Sequence, residues 1–127
     1  MSGTETILLV EDEEALREVV RDVLEGAGYK VLDASQPEEA LANAKAYPSP
    51  IHLLVSDVAL PRMSGPDLAA SLAPLRPQMR VLFMSGYAAD SMGQHGALEP
   101  GSHFIQKPFS TDDLLRLLRS ILDAPPS

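Results

Sequence analysis

The apolar segments of this chain are short, and each one precedes a stretch with helical periodicity. Thr6–Val10, Lys30–Ala34, Ile51–Ser56, Arg80–Met84 and His103–Gln106 are bounded by turn or capping residues, and most run apolar without alternation. A continuous apolar run of that length reads as a strand covered on both faces, which is the habit of parallel sheets flanked by helices. The helical patterns fall between the runs. Asp12 or Glu13 caps a helix to about Ala27, with Ala15, Leu16, Val19, Val20, Val23 and Leu24 as its apolar stripe and Gly26 and Gly28 at its end. Ser35-Gln36-Pro37-Glu38 reads as a capping box with Pro at the first helical position, opening a helix to about Tyr47 that Pro48-Ser49-Pro50 stops. Gly65-Pro66 opens a third helix to about Leu75. Ala88–Leu98 is a weak fourth, because Gly93 and Gly96 each cost about 1 kcal/mol there relative to Ala. Ser110 or Thr111 caps the last, with Leu114, Leu115, Leu117, Leu118, Ile121 and Leu122 on its inner face. Five strands alternating with five helices predict an α/β fold, a doubly wound parallel sheet, with right-handed crossovers that leave few strand orders. The 127 residues make one domain, its core over about 4–122 and residues 123–127 a tail or linker.

The ends of those strands carry the chemistry. Glu11 and Asp12 follow the first run, Asp57 the third, Ser85 the fourth and Lys107 the fifth. In an open parallel sheet the carboxyl ends of the strands form the ligand-binding edge, so three acids, a hydroxyl and one lysine are expected to share it. Two carboxylates about 5 Å apart repel by roughly 3 kcal/mol at an effective dielectric near 20, so such a cluster either raises a pKa or recruits a cation. Oxygen ligands suit Mg²⁺, which binds through one or two carboxylates plus a phosphate. With zero cysteines and three scattered histidines, His52, His95 and His103, zinc is not expected. A carboxylate beside such an ion can attack phosphorus and form an aspartyl phosphate, with Lys107 and the Ser85 hydroxyl as donors to the phosphoryl oxygens.

Composition removes other classes. Ten basic against 18 acidic residues, a net charge of −8, leave no basic stripe for nucleic acid. The longest apolar stretches are too short to enter a membrane, and the N-terminus lacks the pattern of a secretory signal. The absence of cysteine fits a cytoplasmic protein.

Glu11-Asp12 after a strand, Asp57 with Pro61 and Gly65 downstream, Ser85-Gly86 after strand four and Lys107-Pro108-Phe109 together resemble the receiver domain of two-component response regulators. The resemblance runs from about Thr4 to Leu122. Phe83-Met84-Ser85-Gly86-Tyr87 and Leu98-Glu99-Pro100-Gly101 further resemble receivers attached to hybrid sensor histidine kinases. The resemblance, not the pattern, implies the flavodoxin-like receiver fold with strand order 2-1-3-4-5. It also implies that Asp57 takes a phosphoryl group from phosphohistidine. Asp12 and Asp57 would bind Mg²⁺ (or Mn²⁺) directly, Glu11 through water, and Ala59 by its backbone carbonyl. Lys107 would pair with Asp57 and then with the phosphoryl oxygens, and Ser85 would close on the phosphate and couple it to Phe104. The Lys107–Pro108 bond is expected cis, a conformation that belongs to proline. Partners would be a histidine kinase or a histidine phosphotransfer protein, with a switching surface, and a homodimer contact, over Ala88–Leu98, Phe104 and Ser110–Leu122.

Plainer roles stand beside these. Glu13 and Glu14 read as the solvated first turn of a helix, Ser85 also suits a turn cap, and Phe104 suits a core or half-buried aromatic. Ala59 and Tyr87 are the positions that bear on hydrolysis in the family. A phosphorylation-independent pseudo-receiver is the alternative function. An Asp-nucleophile phosphatase is disfavoured, because it needs a general acid where Ala59 stands.

Overall fold

The protein, a computed structural model, is described over residues 3–60, 62–85 and 103–124. Five strands, β1 (Thr6–Val10), β2 (Lys30–Ala34), β3 (Leu53–Asp57), β4 (Arg80–Ser85) and β5 (His103–Gln106), form one parallel sheet in the order β2-β1-β3-β4-β5. Four helices are present among the described residues: α1 (Glu14–Gly26), α2 (Pro37–Ala46), α3 (Gly65–Leu72) and α4 (Thr111–Asp123). The weak helix expected over Ala88–Leu98 lies outside the described residues, as do Pro61, Gly86, Tyr87 and the turn at Pro100-Gly101.

The central strands are apolar without alternation because both their faces are covered. Along β1, Ile7 and Leu9 pack on one side with Val20 and Leu24 of α1 and with Leu114, Leu118 and Ile121 of α4. Leu8 and Val10 pack on the other side with Ala40 and Ala44 of α2 and Leu68 and Leu72 of α3. Every residue of β1 is buried. Edge strand β5 is different: Ile105 packs on the α1–α4 side, whereas Phe104 is 44% exposed. That corrects the expectation of a core or half-buried ring, and the two-residue period of an edge strand is the reason.

Other expectations shift at the margins. Val19 is 59% exposed and Ala15 also faces outward, so the buried line of α1 is narrower than the stripe read from the sequence. Glu13 holds the cap position of α1 but makes no capping bond; instead the Glu11 carboxylate accepts the Glu13 amide at 3.0 Å. The capping box expected from Ser35 and Glu38 does not form, because Ser35 lies one residue before the cap and the cap residue makes no side-chain bond. Gln36 is the cap, and the Ser35 amide and hydroxyl both donate to Glu39, at 2.9 and 3.3 Å. Helix α3, expected over about Pro66–Leu75, runs Gly65–Leu72: the Ser64 hydroxyl accepts the Asp67 amide and starts it a residue early, and it ends three residues short. Ser110 caps α4 by the same device, through the Asp113 amide.

Register sets the functional edge. Val10 lies opposite both Ala34 and Ser56, Asp57 opposite Met84, and Ser85 opposite Gln106. The residues just past those pairs, Glu11 and Lys107, therefore sit on one rim with Asp57 and Ser85. The rim is extended by backbone bonds beyond the ladder: Glu11 donates to Ala34, Val58 to Met84 and Lys107 to Ser85. The Lys107–Pro108 peptide is cis. Among the described residues, no helix is long and apolar enough to cross a membrane.

Candidate functional site: an acidic rim held by one lysine

Glu11, Asp12 and Asp57 each present a carboxylate oxygen, and these atoms lie within 4.8 Å of one another. The three are not equivalent. Glu11 is only 1% exposed, Asp57 is partly covered and Asp12 faces solvent. Burial dominates the electrostatics of Glu11 and pushes its pKa up to about 7, helped by the neighbouring Asp57 charge and opposed by the Glu13 amide and Lys107. The deepest acid of the rim is thus poised to change charge near neutrality unless a cation takes the negative form.

Lys107 supplies the cation that is present. Its Nζ donates to Asp57 Oδ2 at 2.7 Å and to Glu11 Oε1 at 3.1 Å. Burial alone would depress its pKa, but the bond and charge of Asp57, joined by those of Glu11, outweigh it and hold the ammonium above its ordinary value. This spans β1, β3 and the segment after β5, so one side chain ties together three strands that are far apart in sequence.

Asp57 is fixed from several sides. Its Oδ1 accepts the Ala59 amide at 3.1 Å, and its backbone oxygen accepts the Ser56 hydroxyl at 2.9 Å. Gly65 packs against it: a Cβ at that position would lie 2.3 Å from the Asp57 carbonyl oxygen and 3.2 Å from the Phe83 ring. Glycine is needed there for close approach. Ser85 is buried at the rim, and its carbonyl accepts the Lys107 amide at 2.7 Å. Phe104 stands one strand over, opposite Phe83 in register.

The rim therefore brings together Glu11, Asp12, Asp57, Ser85 and Lys107, as their positions at the strand ends predict. For Ala59, the contact seen is its amide on Asp57. The direct bond from Lys107 to Glu11 is not foreseeable from the sequence; two acids before α1 and one lysine after β5 leave the choice of partner open. Arg17 escapes sequence reasoning altogether. Its Nη1 donates to the Glu11 carbonyl at 2.8 Å and its Nε lies 3.5 Å from Asp33. Nothing in the spacing marks Arg17, since each of the two arginines of this acidic helix looks like a surface charge.

The donor set fits a hard divalent ion. It consists of oxygen atoms alone, three carboxylates in reach of one another, with no imidazole or thiolate among them. Beside the rim, between α1 and α4, runs a groove of about 440 Å³ lined by Leu16, Val19, Val20, Val23, Phe109 and Leu114, with Glu13 and Lys107 at its end.

The family model for the response regulator receiver domain matches residues 7–119. The chain is 35% identical over 123 residues to the sensor kinase CckA of Brucella abortus, covering 97% of this chain and 13% of that much longer protein. It is 30% identical to the response regulator receiver protein CpdR of the same organism, covering 93% of this chain and 97% of CpdR. Among solved structures, the receiver domain of the hybrid histidine kinase CckA superposes with a TM-score of 0.80 at 36% identity, covering 93% of this chain and 99% of that one. A CheY-like receiver protein from Methanospirillum hungatei superposes at 0.83 with 31% identity and 95% of each chain covered.

Proposed function

The chain belongs to the response regulator receiver domain family, and on that premise we propose that it is a phosphoacceptor module of a two-component phosphorelay. Asp57 is the acceptor. Its carboxylate attacks the phosphorus of a phosphohistidine; the new O–P bond gives an aspartyl phosphate, the P–N bond breaks, and the imidazole of the donor leaves. The observation that carries this reading is the bridge from Lys107 to Asp57 and Glu11 at 2.7 and 3.1 Å. A cation bonded to the acceptor carboxylate supports the reading, because incoming phosphoryl charge needs one beside it.

The residues divide the work. Asp12 and Asp57 would hold Mg²⁺ (or Mn²⁺) directly, Glu11 through water, and the Ala59 carbonyl would complete the protein's share. Such an ion would supply positive charge against the carboxylates and the incoming phosphoryl group. Lys107 turns from Glu11 toward a phosphoryl oxygen, and the Ser85 hydroxyl donates to another. Ser85 then couples occupancy to Phe104, whose exposed ring on the edge strand is free to be read by a partner. The output face is the surface around Phe104 and α4, shared with Ala88–Leu98 outside the described residues, and it also serves a homodimer. The domain catalyses only its own phosphorylation and hydrolysis.

The donor is a histidine kinase or a histidine phosphotransfer protein. An apolar helix laid in the α1–α4 groove would bring its histidine to the Lys107 end, which supports that choice. The similarity to the receiver of CckA supports a place in a hybrid sensor kinase, and a cytoplasmic setting goes with it. Ala59 offers no general acid, so turnover of small phosphate esters is not expected.

The test is incubation with acetyl phosphate and Mg²⁺, read by intact mass and peptide mapping. One phosphoryl group on Asp57, absent from Asp57→Asn and from a chelated sample, is the expected result. Labelling that persists in Asp57→Asn, or no labelling of the parent chain, overturns the assignment.

A further inference from the structure

Arg17 takes no part in the phosphoryl chemistry above, yet its guanidinium reaches the rim. It sits in the first turn of α1 and is largely covered, its side chain 17% exposed. One hydrogen bond and one ion pair define its direction. Nη1 donates to the Glu11 carbonyl at 2.8 Å, and Nε faces Asp33 Oδ2 of β2 at 3.5 Å. Asp33 is itself braced from its other oxygen by Arg21 at 3.3 Å. The guanidinium thus lies between β2 and the turn between β1 and α1, with its hydrogen bond on the turn.

The carbonyl it holds matters because of what shares its peptide plane. The Glu11 C=O and the Asp12 N and Cα are one rigid unit, so fixing the oxygen fixes where the Asp12 Cα lies and the N–Cα axis about which its side chain turns. The Glu11 amide is already held by Ala34 at 3.1 Å. The Glu11 side chain is held by Lys107 and by the Glu13 amide. What the bond from Arg17 restrains is rotation of that plane about the Glu11 Cα–C bond, and Asp12 is the solvent-facing member of the acid trio.

We propose that Arg17 is a positioning residue for the metal site: its bond to the Glu11 carbonyl orients the Glu11–Asp12 peptide so that the Asp12 carboxylate meets those of Glu11 and Asp57. The inference rests on the phosphoacceptor reading and goes beyond it by naming what sets the geometry of the acid trio. Charge alone gives the opposite expectation. Removing a cation near a cation site should tighten Mg²⁺ binding by Coulomb's law, so a loss of affinity on removing Arg17 reports orientation.

The experiment is calorimetric titration of the intact chain with MgCl₂, beside urea unfolding without metal, for the parent, Arg17→Ala, Arg17→Lys, Arg17→Gln and Asp33→Asn. Arg17→Ala is expected to weaken Mg²⁺ binding by about tenfold or more, the usual cost of losing an outer partner of a metal ligand. Arg17→Lys should recover part of it, since an ammonium can still reach a carbonyl. Asp33→Asn keeps the donor on Glu11; it should lower stability while changing Mg²⁺ affinity by less than about threefold, well under the outer-partner cost. Should Arg17→Ala not fold, Arg17→Gln and Arg17→Lys carry the comparison. Unchanged or tighter Mg²⁺ binding in Arg17→Ala overturns the inference, as does a loss of affinity in Asp33→Asn equal to that in Arg17→Ala. A parent chain that takes up no Mg²⁺ would instead sink the phosphoacceptor reading itself.

Discussion

Replacing Glu11 by glutamine isolates the cost of keeping a carboxylate inside the rim. In the folded chain its pKa stands at about 7 against an ordinary 4.5, a displacement worth about 3 kcal/mol. The sign follows from which state holds the proton. Below about pH 4.5 both folded and unfolded chains carry it and Glu11 contributes nothing. Between there and pH 7 the unfolded chain releases its proton first, so the folded state loses ground by up to about 1.4 kcal/mol per pH unit. Above pH 7 the full penalty of about 3 kcal/mol is present. The amide of the Glu11→Gln variant would keep an oxygen for Lys107 and cannot ionise, so that variant's stability should not fall across the window. Urea unfolding followed by circular dichroism, with chelator present, between about pH 5 and pH 8 measures the difference. Glu11→Gln should gain about 2.5 kcal/mol on the parent over that span, since part of the penalty is already present at pH 5. Mg²⁺ should reverse the trend in the parent, because it binds the ionised form and stabilises by mass action. Parallel pH profiles for the two proteins without metal would refute the claim that Glu11 is held protonated by burial.

Three further perturbations probe the same frame. Lys107→Met leaves Glu11 and Asp57 facing each other without a cation; metal-free stability near pH 8 should drop by about 2 kcal/mol, and the rise in melting temperature on adding Mg²⁺ should exceed the parent's. Gly65→Ala drives a Cβ into the Asp57 carbonyl oxygen; a loss of about 2 kcal/mol in urea is expected, with weaker Mg²⁺ binding because Asp57 is displaced. Arg119 donates to both carboxylate oxygens of Glu5 at 3.1 and 2.7 Å and holds the Glu5 pKa down at about 2. That depressed acid contributes stability above its unfolded pKa of 4.5 that is lost as pH falls toward 2. Arg119→Ala should therefore lower stability at pH 7 by about 1–2 kcal/mol and flatten the acid limb of the unfolding curve.

Much of this architecture is legible because strands and helices announce themselves by different periods. The unbroken apolar runs at Thr6–Val10 and Leu53–Val55 require cover on both sides, and the two packed layers supply it. The placement of Asp57 and Lys107 is legible for a related reason: a charge that ends a buried strand must find a partner, and the two find each other. What cannot be read are features decided by geometry between elements. Glu11 and Asp12 are adjacent in sequence and alike in chemistry, yet one is buried and the other faces water; only the direction of the chain as it leaves β1 separates them. Val19 fits an apolar stripe by spacing, but α4 covers Val20 and Leu24 and leaves the groove over Val19 open. Ser35 donates twice to Glu39 instead of forming the expected box with Glu38, because Gln36 takes the extended cap position. Arg62, in the loop after Asp57, adopts a φ of 70° that no residue preference foretells.

The lysine bridge has a consequence for how the molecule comes apart. It joins side chains 50 and 96 residues apart along the chain, so no contiguous fragment short of nearly the whole domain contains the rim. Any ion or phosphoryl group seated there fastens the first strand, the middle strand and the segment past the last strand at once. Its release should therefore be felt by the slowest-exchanging amides of the central sheet, those that open only when everything opens, rather than by the loops beside it alone. Occupancy of a shallow surface site would then be readable from the deepest part of the protein.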